Sequence, residues 1–180
     1  MTNEAKRDWT TEDDRPSNLA NLRKDSTLSA SGVGVIATRT REPFRSIHAL
    51  MEWAFAKDLP FGVWNVRDGW VKRNPMDDPD ATPKKCGTVD PYVALKQILD
   101  VDGNGKSRWQ RGVYVMHAVH HWFKHPGIIE CLRHYVRDMA EEKTLRLVLV
   151  LPEGVILPDD LKHDIPMLDY DLPDRAELAE

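Results

Sequence analysis

Cysteine is scarce: Cys86 and Cys131 are the only two in 180 residues. Two thiols build no disulfide framework and fall short of a four-sulfur zinc site, so a reducing compartment, the cytoplasm, is expected. Long apolar runs are missing too. None approaches the ~18 residues that mark a membrane-spanning helix, and the opening "MTNEAKRDWTTEDD" is too polar for a signal peptide. No membrane partner is expected. The glycine cradles of phosphate and dinucleotide sites are also lacking. There is no G-x-x-x-x-G-K-[ST], no G-x-G-x-x-G and no G-x-S-x-G, and "GVG" at 32–34 precedes a strand instead of following one. Strong charge of either sign is absent: a net −4 makes no electrostatic case for nucleic acid across the whole molecule.

What remains fits one soluble globular domain, with 41% hydrophobic and 30% charged residues. Six tryptophans are many for this length, enough to serve both a core and an interface. Residues 1–31 are polar, of mixed charge and without apolar period, and are expected to form a mobile tail. The folded domain is expected over 32–172, and 173–180 to begin a linker or helix leading onward.

Within the domain, "GVGVIAT" is a buried strand. "REPFRSIHALMEWAFAK" places Ile47, Leu50, Met51 and Ala54 at helical spacing, with Pro43 in the first turn. "FGVWNV" is a second strand. The following 22 residues, "RDGWVKRNPMDDPDATPKKCGT", carry three prolines and many charges and predict a long surface loop. "DPYVALKQIL" is a helix capped by Asp90. "GVYVMHAV" is a strand, and "PGIIECLRHYVRDMAEE" a helix with Ile128, Leu132, Tyr135, Val136 and Met139 on one face. "LRLVLVL", apolar on both faces, predicts a central parallel strand. "LPDDLKHDI" gives a helical turn and "PMLDYDL" a last strand. This alternation predicts an α/β domain with an open, mostly parallel sheet and helices on both faces.

"DVDGNGK", from Asp100, begins like a calcium loop. Its twelfth position, which must supply a bidentate carboxylate, is Arg111. A cation there repels calcium, so the segment reads as a polar turn.

In such a sheet, function gathers in the loops after the carboxyl ends of the strands. After the first strand, Arg39, Arg41 and Arg45 make a cationic loop that could meet a phosphate or a nucleic acid, or simply be solvated. The strand "GVYVMHAVHH" has no Asp or Glu to tether Mg²⁺. His117, His120, His121 and His125 crowd its end, but without an H-E-x-x-H pattern they imply no metal site. Cys131, beside Ile128 and Leu132, reads as a small core residue. No catalytic residue and no cofactor is expected. The best partner-binding candidates are Arg39, Arg41, Arg67, Trp70, His120, His121 and Trp122, if their loops form one cationic, aromatic rim.

Several short pieces come in a familiar order: Asp90, Pro91, Ala94 and Leu95; His120; Pro126, Leu132 and Arg133; Leu157, Pro158 and Leu161; Leu172, Pro173 and Leu178. Over about residues 33–180 the chain resembles the N-terminal region of the AAA+ ATPases typified by a conserved chloroplast and cyanobacterial open reading frame. The resemblance implies a degenerate P-loop-type, Rossmann-like three-layer domain that precedes an ATPase module. It also implies a non-catalytic role: recruiting a protein partner or substrate, or regulating the ATPase ring. Ala118 stands where that family commonly has an acidic residue. The alternative is a nucleotide- or nucleic-acid-binding domain that uses the basic loop.

Overall fold

The computed structural model describes residues 34–77, 82–86, 88–99, 112–139 and 145–169. The expected tail at 1–31, the turn at 100–111 and the terminal segment 173–180 lie outside them. The elements run β1 (Val35–Thr40), α1 (Pro43–Phe55), β2 (Phe61–Asn65), β3 (Gly69–Arg73), β4 (Lys84–Cys86), α2 (Pro91–Leu99), β5 (Gly112–His117), a 3-10 turn (Val119–Trp122), α3 (Pro126–Met139), β6 (Leu145–Pro152) and β7 (Met167–Asp169). All seven strands join one sheet in the order β4-β3-β2-β5-β6-β1-β7. β2, β5, β6, β1 and β7 are parallel, and β3 and β4 are antiparallel additions at one edge. The α/β fold with a mostly parallel sheet is therefore as the sequence predicts.

Helices cover both faces. On one, Leu50 and Ala54 of α1 pack on Phe61, Val113, Val115, Val148 and Val150. On the other, Ala94, Leu95 and Ile98 of α2 and Ile128, Leu132 and Tyr135 of α3 pack on Tyr114, Met116, Leu147 and Leu149. β6 explains its sequence directly. Its odd-numbered leucines enter the second core and its even-numbered valines the first, so both faces must be apolar. Cys131 is buried within the α3 contact, and that burial pushes its thiol pKa up.

Local chemistry sets the helix starts. The Asp90 carboxylate accepts the Val93 N–H at 3.0 Å, with Pro91 at the first helical position of α2. α1 has Pro43 in its first turn and no side-chain cap. Instead, the Glu42 N–H donates to the Thr40 hydroxyl at 2.9 Å, which turns the chain out of β1.

Two expectations need correction. The segment after β2 is no simple loop, because it holds β3 and β4. The Asn65 side chain accepts the N–H groups of Arg67 and Asp68 at 3.0 and 2.9 Å, and Gly69 takes a φ of 67°. That is a hairpin turn, and it brings Trp70 back opposite Trp64. The strand expected to run through Val119 stops at His117, because Ala118 turns left-handed at φ 61° and feeds the 3-10 turn.

Candidate functional site

β1 leaves the sheet toward α1, on one face. The segment after β6 leaves on the other, where Leu157, Leu161 and Ile165 join the α2–α3 core. Connections that diverge from neighbouring parallel strands open a crevice at the strands' carboxyl ends, the usual ligand position in open α/β sheets. One is present: about 440 Å³, lined by Thr40, Arg41, Pro43, His117, Val150, Leu151, Pro152 and Glu153.

Its walls are apolar and its charges are paired. The Arg41 guanidinium bonds the Glu153 carboxylate and so joins the loop after β1 to the turn after β6. Arg39 makes a two-point pair with Asp169 of β7, at 2.7 and 3.0 Å. Arg45 lies 2.5 Å from Glu42, within the same turn of chain. Each of the three arginines of the basic loop thus faces a carboxylate. His117, at the end of β5, is half-buried and stacks at a tilt on Phe44, with ring centroids 5.8 Å apart. Burial lowers its pKa. Burial also lowers that of His120, helped by the neighbouring His121 and His117. Imidazoles shifted this way are neutral near pH 7, so the histidines add little positive charge to the crevice. Among the described residues, no group of three His, Cys, Asp or Glu is arranged to hold a metal.

The seven residues singled out from sequence are distributed as follows. Arg39 and Arg41 lie at the β1 end of the edge. Arg67, in the β2–β3 turn, and His120, His121 and Trp122, after β5, lie toward the other end. Three strand spacings separate β1 from β2, about 14 Å. His120 and His121 stack on each other at 4.0 Å. Trp122 is half-buried and meets Trp64 edge-on at 5.8 Å. Trp70 is fully buried; its ring stands edge-on to Tyr114 and its indole N–H donates to the Ala94 carbonyl at 3.3 Å. Trp70 therefore belongs to the core and offers no surface.

Three residues not singled out stand at the same edge. Phe44 is 77% exposed, Ile156 79% and Val66 58%. They follow β1, β6 and β2 respectively. Phe44 had a legible signal: it extends the apolar stripe of α1 (Phe44, Ile47, Met51) one turn further toward the helix start. Ile156 had none, because its exposure depends on how the turn after β6 is folded.

A family model for the N-terminal domain of SpoVK-like AAA ATPases matches residues 25–170. The chain belongs to that family. The expectation of a AAA+ N-terminal region is thereby met at family level. No curated protein matches. Among solved structures, the chain is similar to the ORC1 protein of Aeropyrum pernix, determined in complex with DNA. Identity is 16%, the match covers 91% of this chain and 37% of that one, and the TM-score is 0.27. A likeness that slight carries no argument about fold or function. As a SpoVK-like N-terminal domain, the chain has no described helix long and apolar enough to cross a membrane.

Proposed function

We propose that this domain is a non-catalytic docking and regulatory module of a SpoVK-like AAA ATPase, and that it binds protein through the carboxyl edge of its sheet. The observation that carries this reading is the exposure of Phe44 and Ile156 on either side of the β1–β6 divergence. Large apolar side chains held in solvent at a sheet's ligand edge are typical of surfaces that a partner covers. Family membership supplies the first partner to test, the AAA module. The narrower affiliation with the chloroplast and cyanobacterial group rests on the short motifs quoted above.

Nucleotide hydrolysis is a poor fit. The turn from β1 into α1 reads Thr40-Arg41-Glu42-Pro43, with no glycine to wrap a phosphate and no P-loop lysine. The pairing of Arg39, Arg41 and Arg45 likewise weighs against the nucleic-acid alternative, since an incoming phosphate would have to displace carboxylates already in place. The purified domain should show no ATP turnover above buffer.

The test measures binding of the domain to the AAA module of a SpoVK-like ATPase from the same genome, by titration calorimetry. Phe44→Ala with Ile156→Ala should weaken it at least about tenfold, the equivalent of ~1.4 kcal/mol, while leaving the thermal midpoint unchanged. Undiminished affinity in a folded double variant would remove the basis of the proposal.

A further inference from the structure

Away from the carboxyl edge, the β3–β4 flank concentrates positive charge in a chain of net −4. Lys72 and Arg73 end β3, and Lys84 and Lys85 open β4. The register sets Lys72 directly opposite Lys84. Like charges placed opposite each other on adjacent strands repel, so the arrangement costs local stability. Two described carboxylates temper it. Asp68 lies 2.5 Å from the Lys85 ammonium. Asp77, held below the usual carboxylate range chiefly by hydrogen bonds from Asn74, also feels Lys84 and Arg73.

β4 is the last strand of the sheet. One of its edges bonds β3, and among the described residues no strand pairs with the other. Exposed apolar side chains stand before and after it in the chain: Met76, 88% exposed, and Val89, 49%. An unpaired edge offers a row of backbone donors and acceptors to any extended chain. The lysines make that offer selective. A second copy of the same edge, or a basic segment, would be repelled, whereas an acidic one would gain charge pairs along with the backbone ladder.

We propose that the outer edge of β4 takes up an extended, acidic segment of a partner protein by strand addition. The carboxylates of the segment face Lys84 and Lys85, and its apolar residues meet Met76 and Val89. This surface is separate from the rim around Phe44 and Ile156 and does not depend on the docking assigned there.

The experiment is fluorescence anisotropy of the full chain with a labelled peptide of alternating glutamate and valine. Amide NMR shifts of Lys84, Lys85 and Cys86 provide a second readout. The peptide should bind saturably and shift those amides. N-methylation of its alternate backbone amides should weaken binding about tenfold, since each lost ladder hydrogen bond is worth roughly 1 kcal/mol. Lysine in place of its glutamates should abolish binding. On the protein side, Lys84→Glu with Lys85→Glu should weaken the acidic peptide about tenfold, and Phe44→Ala should leave it unchanged. Equal binding of the methylated and unmethylated peptides would overturn the proposal with no change to the protein. So would the absence of saturation, or equal competition by a single-stranded DNA of matched charge, which would mark a general polyanion patch.

Discussion

Arg39 and Trp70 show how differently two residues of one notional surface can behave. Arg39 shares its charge with Asp169 in a half-exposed pair. Solvent screens such pairs, so Arg39→Ala should change stability by no more than about 1 kcal/mol. Trp70 fills core space between α2 and Tyr114. Trp70→Ala should cost about 3–5 kcal/mol, and urea denaturation of the two variants side by side checks both expectations. The histidines set a pH response. Burial lowers the folded-state pKa of His117 and His120 below the unfolded value of about 6.5. The unfolded chain then binds more protons over that interval. Their contribution is fully present above the unfolded pKa and is lost as pH falls from there through the folded pKa. The urea midpoint should therefore drop between pH 7.5 and pH 5.5, and less steeply in His117→Gln than in the parent. Little of the site was legible at this scale. Arg41 and Glu153 lie 112 positions apart in the chain, and no local pattern announces that they meet. Trp70 sits among charges in the sequence, so its burial could not be read from its neighbours.

At the scale of elements, the sequence was most legible where burial is continuous. β1, β5 and β6 show as apolar runs because both of their faces are covered, and α2 announces itself through Asp90 and Pro91. The β3–β4 hairpin was hidden by its own chemistry. Edge strands tolerate lysine, arginine and nearby proline, so charge and proline made a strand pair resemble a loop. The Asn65–Gly69 turn, with its Asp68-Gly69 step, was the signal that could have revealed it. Packing between elements is tight where β2 passes β5. A Cβ at Gly62 would stand 2.7 Å from the Tyr114 ring, which is itself buried against Trp70. Gly62→Ala should therefore destabilise the domain by about 1–3 kcal/mol through overpacking, read as a lower denaturant midpoint with an unchanged slope.

For the whole molecule, a parallel α/β sheet of AAA lineage keeps the crevice where such sheets bind ligands, but closes it with Arg41–Glu153 and surrounds it with exposed apolar side chains. The central claim is that this edge now binds protein. Hydrogen–deuterium exchange on mixing the domain with the AAA module of a SpoVK-like ATPase from the same genome tests it most directly. The account predicts slowed exchange in residues 41–46 and 153–157, with the outer face of α3 unaffected. No protection on mixing, or protection confined to α3, would contradict it.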